Sequence, residues 1–76
     1  MEVTDELVRN TMDLLAAMTS AEIAERTGIP TERALIDFLS SRTGQMLYDR
    51  ETGVWCDGPA AIADMYEDEG RQNGAA

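Results

Sequence analysis

The chain has 76 residues and a formal net charge of −9, from 15 acidic residues against six arginines, with no lysine and no histidine. This length predicts one domain, and the hydrophobic fraction of 43% is typical of a folded globular protein. So acidic a surface repels nucleic acid and anionic membranes and attracts basic protein surfaces. The acidity also has a simpler explanation, because net charge keeps a small protein in solution.

Cysteine and histidine usage limits both the compartment and the chemistry. Cys56 is the only cysteine, whereas secreted domains of this size usually carry several disulfides, so we expect a cytoplasmic protein. The acidic start is unlike a signal peptide, and no stretch approaches the roughly 18 apolar residues of a membrane span. Without histidine there is no imidazole acid or base, no Ser-His or Cys-His pair and no usual zinc site. We therefore expect a protein that is not an enzyme, with no catalytic residues, no metal and no cofactor.

Two helices are predicted in the chain up to Gly28. The first covers residues 4–18, where Thr4 can cap the first turn. Its predicted core face consists of residues at three- and four-residue spacing: Leu7, Thr11, Leu14, Leu15 and Met18. The segment Thr19–Glu22 fits a capping box, which predicts a break and a second helix over residues 19–27. Gly28 is expected to end this second helix in a left-handed conformation.

A third helix is predicted over residues 30–43, because proline is tolerated in a first helical turn. Its predicted buried face consists of Ala34, Leu35, Phe38 and Leu39. Thr43 and Gly44 are expected to stop it. Since the three predicted helices are joined by very short turns, we expect them to pack as a compact three-helix bundle.

Residues 46–57 have the pattern of a β-hairpin. Met46–Tyr48 and Val54–Cys56 are short strand-like runs, and the turn between them ends at Gly53, which is free to take a positive φ. In one register, Tyr48 lies opposite Trp55 on the same face of the hairpin. A last helix is then predicted from Pro59.

The last helix is predicted over residues 59–69, with Pro59 in its first turn and Gly70 at its end. Its apolar face contains Ile62, Met65 and Tyr66. Residues 71–76 are predicted to be a flexible tail, so the single domain spans residues 1–70. Oligomerisation would stabilise a chain with so small a core, and a homodimer therefore stays an open possibility.

Residues 20–39 resemble the helix-turn-helix motif of DNA-binding regulators. Ala24, Gly28 and Ile29 stand where the motif has its small residue, its turn glycine and its inward-packing apolar residue. Pro30 departs from the motif, which usually has a capping serine or threonine there. With the hairpin as a wing, the resemblance implies a winged-helix-like domain. The predicted fold is mainly α, in the α+β class: a helix-turn-helix-like three-helix bundle, a β-hairpin and a short C-terminal helix.

The resemblance to DNA-binding regulators also implies a set of DNA-contacting residues. They are Thr31, Arg33, Ser40, Arg42 and Arg50. The predicted recognition helix also carries Glu32 and Asp37, which repel phosphates, and helical spacing pairs Arg33 with Asp37. Near the predicted wing, Arg42 and Arg50 have no predicted helical partner. We therefore expect that the monomer does not bind duplex DNA tightly.

A second resemblance covers nearly the whole chain. A group of short uncharacterised bacterial proteins has the elements S-x-T, L-Y-D-x-E-T-x-L-W and S-P in this order. Similar segments occur here in the same order, at Ser41–Thr43, Leu47–Trp55 and Gly58-Pro59. Gly58 departs from the serine of that pattern. The group has no established activity to carry over, so the resemblance implies only a bacterial or phage accessory protein.

Two groups of side chains are candidates for protein binding. They are the acidic residues Asp64, Glu67, Asp68 and Glu69 near the C-terminus, and the aromatic residues Tyr48 and Trp55 of the predicted hairpin. The acidic group is also typical of a solvated helix end, and the aromatic pair could equally close the core. The leading prediction is a non-catalytic module that binds a basic, nucleic-acid-handling protein, as an antitoxin-like regulator or an inhibitor. The alternative is a dimeric helix-turn-helix transcription regulator.

Overall fold

The computed structural model describes residues 4–74, which form four α-helices and no strand. The helices are α1 (Asp5–Thr27), α2 (Thr31–Ser40), α3 (Arg42–Leu47) and α4 (Pro59–Gly74). Two 3-10 turns, Arg50–Thr52 and Val54–Cys56, connect α3 to α4. None of the four helices is long and apolar enough to cross a membrane.

α1 runs unbroken through Thr19, where the sequence predicts a break between two helices. Thr19 is fully buried in the middle of α1 and so cannot cap a new helix. Its neighbour Ser20 donates its hydroxyl to the Ala16 carbonyl at 2.7 Å, a bond that accommodates a hydroxyl residue inside a helix. No glycine or proline interrupts Asp5–Thr27, so the helical ladder continues past the capping-box pattern. The separate helix predicted over 19–27, and the three-helix bundle that includes it, are therefore wrong.

Both ends of α1 confirm the sequence predictions. Thr4 accepts a hydrogen bond from the Leu7 N–H at 3.1 Å. At the other end, Gly28 takes a φ of 80° and its N–H donates to the Ala24 carbonyl at 2.8 Å. Ile29 then packs against the core, as Ala24 does. The chain thereby makes a tight turn from α1 into α2.

The single helix predicted over residues 30–43 is two helices, α2 and α3, that meet at Ser41. Ser41 has an extended backbone, and its hydroxyl caps α3 by accepting the Gly44 N–H at 3.0 Å. Gly44 therefore lies inside α3 and does not stop a helix. A Cβ atom at Gly44 would come within 2.0 Å of the Phe38 carbonyl oxygen, so glycine is what lets α3 lie this close to the end of α2.

Residues 46–57 do not form the predicted β-hairpin. The Thr52 hydroxyl lies 2.6 Å from the Met46 carbonyl oxygen and 2.9 Å from that of Asp49, which ties this segment into turns. Gly53 takes a φ of 74°, as expected, but it joins two 3-10 turns instead of reversing two strands. Because residues 4–74 contain no strand, the α+β class and the winged-helix-like wing are wrong, whereas the mainly helical part of the prediction is consistent.

α4 is longer than the sequence predicts. It begins at Pro59, as expected, but continues past Gly70 to Gly74. Gly70 is exposed and has open space around it, so it interrupts no packing. Four residues of the predicted flexible tail, 71–74, are therefore helical, and residues 75–76 lie outside the described range.

The core lies where α1 packs against α2 and α4. It consists of Ala16, Ile23, Ala34, Phe38, Leu47, Val54, Ile62 and Ala63. Phe38 is fully buried, and its ring centroid lies 5.9 Å from that of Tyr66 on α4. Leu47 and Val54 bring α3 and the second 3-10 turn onto the same core, so the connector contributes apolar surface without forming a sheet.

The buried side of α1 is not the predicted one. Its buried residues are Val8, Met12, Ala16, Thr19, Ser20 and Ile23. Leu7, Leu14 and Met18 were expected in the core but are 45%, 60% and 47% exposed. Of the other residues on that predicted stripe, Thr11 and Leu15 are half-buried. α1 carries two apolar rows on different sides, and spacing alone could not show which one faces the core.

Gly44→Ala should destabilise the protein more than Gly28→Ala. A side chain at Gly28 is strained by its positive φ, which should lower the free energy of unfolding by about 1 kcal/mol. A methyl group at Gly44 meets backbone atoms that cannot move aside, so we expect a loss of roughly 3 kcal/mol. Gly58→Ala is the control, because that position has open space and no positive φ. Urea unfolding followed by circular dichroism measures all three, and an unchanged midpoint for Gly44→Ala would contradict the close approach of α2 and α3.

Thr19→Val should stabilise the protein. Within the described residues the buried Thr19 Oγ1 has no hydrogen-bond partner, and valine keeps the shape while removing the unpaired hydroxyl. We expect a gain of about 1 kcal/mol in the free energy of unfolding. Thr27→Val is the matched control: the Thr27 hydroxyl donates to the Ile23 carbonyl at 2.8 Å, so that variant should lose stability. If both variants lose stability equally, Thr19 has a partner after all.

Candidate functional site

Three of the four acidic residues proposed for protein binding form ion pairs within the chain. Asp64 and Glu67 of α4 lie 2.8 and 3.2 Å from the Arg26 guanidinium of α1, and Asp68 pairs with Arg71. The hydrogen bond to Asp64, together with those to its acidic neighbours, raises the pKa of Arg26. Arg26 therefore stays charged and joins the C-terminal end of α1 to α4.

Glu69, the fourth acidic residue, caps α3 from a different helix. Its carboxylate accepts the backbone N–H groups of Arg42 and Thr43 at 2.9 and 2.8 Å and the Thr43 hydroxyl at 2.7 Å. Burial raises the pKa of Glu69, but these hydrogen bonds outweigh burial and hold the pKa below its ordinary value. Glu69 thus links α3 to α4, and its acceptor oxygens are already engaged.

A small open cavity lies beside this cap. It has a volume of about 200 Å³, and Met46 and Met65 form part of its lining next to Glu69. Polar side chains complete the lining, and among them the Glu69 carboxylate already caps α3 while Asp68 pairs with Arg71. In the described part of the chain, no group of three or more cysteine, aspartate or glutamate side chains is placed to hold a metal ion.

Tyr48 and Trp55, the proposed aromatic pair, hold the connector between α3 and α4 in place. The Tyr48 hydroxyl donates to Asp13 of α1 at 2.6 Å, and the Arg9 guanidinium lies 5.7 Å from the ring centroid. Burial, followed by the hydrogen bond to Asp13, raises the pKa of Tyr48 to about 12. Trp55 donates its indole N–H to the Arg50 carbonyl at 3.1 Å. Both rings are half-buried against the core, so they serve the fold and do not form the cross-strand pair that was predicted.

The arginines proposed for DNA binding do not form a continuous basic surface. Arg33 bonds to Asp37 at 3.4 Å, as helical spacing predicts. Arg50, expected to be free, pairs with Asp5 at the start of α1. Arg42 makes no ion pair within residues 4–74, although its backbone N–H is bound by the Glu69 cap. The cations that would contact phosphates are therefore few, and two of the three already face a carboxylate.

Thr31 and Ser40, the remaining residues proposed for DNA binding, are exposed at the two ends of α2. The Ser40 hydroxyl donates to the Ile36 carbonyl at 2.9 Å, so its proton is used within the helix. Glu32 is exposed on the same helix. The exposed side of α2 is thus mixed in character and not basic.

One strip along the exposed side of α1 is uncharged between Leu7 and Ala21. We call this surface the outer face of α1, and it consists of Leu7, Asn10, Leu14, Ala17, Met18 and Ala21. None of these exposed side chains is charged, in a chain in which 28% of the residues are. Leu7, Leu14 and Met18 form one row roughly 17 Å long. Single exposed leucines are ordinary on protein surfaces, but an uncharged row of them is typical of an interaction surface.

Acidic residues border the outer face of α1. At 100° per residue, helical geometry places them along its two edges and at its C-terminal end. They are Glu6, Asp13, Glu22 and Glu25. Two of these acids are engaged within the chain: Asp13 accepts the Tyr48 hydroxyl, and Glu22 pairs with Arg26 at 2.9 Å. Glu6 and Glu25 make no side-chain hydrogen bond or ion pair within residues 4–74 and carry the negative charge of the border. Sequence analysis missed this site because it assigned Leu7, Leu14 and Met18 to the core; the available signal was the second apolar row of α1.

The chain matches no protein-family model, no curated protein and no solved structure. The resemblances to helix-turn-helix regulators and to a group of short bacterial proteins therefore stay predictions. The outer face of α1 is the candidate site because of its own composition and exposure.

Glu69→Gln should lower the free energy of unfolding by about 1 kcal/mol at neutral pH, the usual size of a capping effect. The folded-state pKa of Glu69 is lowered, so its contribution is fully present above the ordinary pKa of 4.5 and is lost as the pH falls through the lowered value. The stability gap between wild type and variant should therefore close in acid. Urea unfolding between pH 7 and pH 3 measures it, with Asp68→Asn as the neighbouring control. A gap that stays constant down to pH 3 would rule out a charged cap.

Proposed function

We propose that this chain is a non-catalytic protein-binding module whose binding surface is the outer face of α1. The observation that carries the proposal is the exposed apolar row of Leu7, Leu14 and Met18, which has charged side chains only at its borders. Removing apolar surface from water favours association, and the entropy lost on binding offsets part of this gain. A helix that is apolar on opposite sides is usually covered on both, and here the chain itself covers one side.

The charge of the chain supports a basic partner. Its net charge of −9 and the acidic border of the outer face would speed the approach of a positively charged surface and orient it. Proteins that handle nucleic acid have such surfaces. An antitoxin-like regulator or inhibitor in the cytoplasm, within a bacterial or phage accessory system, is consistent with this chemistry.

The side chains of this protein favour binding over catalysis. Nucleophile–base pairs usually depend on histidine, and the chain has none. The carboxylates near the C-terminus could act as acids or bases, but ion pairs and the α3 cap already engage them. These side chains therefore add support to a module that acts by binding a surface.

A dimeric helix-turn-helix regulator is the second candidate function. The tight turn at Gly28, with Ala24 and Ile29 packed inward, favours it. The acidic Glu32 and Asp37 on α2 oppose it, since phosphate binding depends on unpaired cations. Fluorescence anisotropy with random duplex DNA separates the two candidates.

Leu14→Asp should abolish partner capture while leaving the fold intact, because Leu14 is 60% exposed. Affinity capture from a bacterial lysate, followed by mass spectrometry, should recover a basic protein with wild type but not with this variant. Ile36→Asp is the matched control, since Ile36 is 62% exposed on α2, outside the proposed surface, and should keep the partner. Equal capture by both variants would contradict the proposed surface. Nanomolar binding to duplex DNA at about 50 mM salt would instead support the regulator.

A further inference from the structure

The outer face of α1 has the spacing of a helix–helix seam. Leu7, Leu14 and Met18 of the outer face form this seam together with the half-buried Thr11 at its edge. The four residues follow one another at intervals of four, three and four, the alternation that two packed helices share. Thr11 fits such a seam, because its hydroxyl donates to the Leu7 carbonyl at 2.9 Å and so needs no partner from outside. The seam therefore presents no unsatisfied side-chain donor to whatever covers it.

Small residues beside the seam allow a close approach. Ala17 and Ala21 are exposed next to Leu14 and Met18, so a second helix axis could come within about 8–10 Å of α1. From Leu7 to Ala21 the surface is about 21 Å long, which is the rise of two heptads. The side chains of such a helix form ridges and grooves, against which a second helix can pack.

Charge distinguishes between the possible occupants. The acidic border of the outer face would meet an identical acidic border in a second copy of this chain, and the two copies would each carry a net charge of −9. A helix with basic residues on both sides of its apolar row would instead pair with that border. The acids therefore oppose self-pairing and favour a basic occupant.

We propose that the outer face of α1 binds an amphipathic helix of the partner protein, with an apolar row flanked by lysine or arginine, packed along α1. This inference rests on the proposed function and deepens it by naming the chemistry of the occupant. The apolar seam provides the contact area, and the acidic border selects the charge of the bound helix.

The probe is a labelled synthetic helical peptide of about three heptads, with leucine at the seam positions and lysine at the flanking positions. It is kept at nanomolar concentration to prevent self-association, and titrated with the full chain in a fluorescence anisotropy assay. A second peptide has glutamate in place of every lysine. We expect the basic peptide to bind at least about tenfold more tightly than the acidic one, and its affinity to fall as salt rises.

Two protein variants with the same added charge separate seam contact from simple charge attraction. Leu14→Asp should weaken binding of the basic peptide at least about tenfold, although the extra acid by itself would strengthen it. Ile36→Asp should leave the affinity within about twofold of wild type. Equal behaviour of the two variants, or equal binding of the two peptides, would overturn the proposal.

Sedimentation equilibrium of the free protein completes the test. We expect a monomer, and a dimer that Leu14→Asp dissociates would overturn the proposal by showing that a second copy occupies the outer face. Failure of this inference is distinguishable from failure of the proposed function. Suppose that Leu14→Asp abolishes partner capture from lysate but the wild-type protein does not bind the basic peptide. The outer face of α1 would then still be the binding surface, and the proposed helical occupant would be wrong.

Discussion

The unbroken course of α1 is the constraint on which the rest of the structure depends. Its 23 residues form one continuous helix, and both α2 and α4 pack against it. Tyr48 attaches the connector to α1 at Asp13, while Arg26 binds the carboxylates of α4 near its other end. A break at Thr19 would rotate one set of attachments relative to the other. Helical continuity at a buried hydroxyl residue therefore decides the arrangement of the whole domain.

The features that could be predicted from the sequence are those decided within a few residues. Thr4, Gly28 and Pro59 mark helix ends, because capping and backbone preference act locally. The hairpin could not be excluded, since short β-branched and aromatic runs around a glycine-containing turn look alike whether they pair or coil. In the structure the Thr52 hydroxyl bonds to the carbonyls of Met46 in α3 and Asp49 in the connector, which holds this segment in turns. The prediction of which side of α1 faces the core was wrong, because both sides of the helix carry apolar residues.

The candidate site shows the same division between local and distant causes. The net negative charge follows directly from the sequence. The ion-pair or hydrogen-bond partner of each carboxylate could not be predicted from it. Glu69 caps a helix that begins 27 residues earlier in the chain, and no local pattern indicates this pairing. The acids near the C-terminus form ion pairs or a helix cap within the chain, whereas three residues assigned to the core became the proposed binding surface. A binding surface made of apolar residues can be identified only after the fold shows which apolar residues are buried in the core.

The cap that Glu69 provides has a consequence for the order in which the domain assembles. The six residues of α3 are too few to be stable alone, since an isolated helix of that length cannot repay its nucleation cost. α1 and α2 are sequence neighbours joined by a three-residue turn, so their contacts close short loops and can form early. We therefore expect α3 to become stable only after α4 has packed against it, because the Glu69 carboxylate on α4 caps α3. We therefore expect α1 and α2 to fold first, and α3, the connector and α4 to fold later as one mutually dependent unit. Local unfolding of the native protein should begin in that later unit.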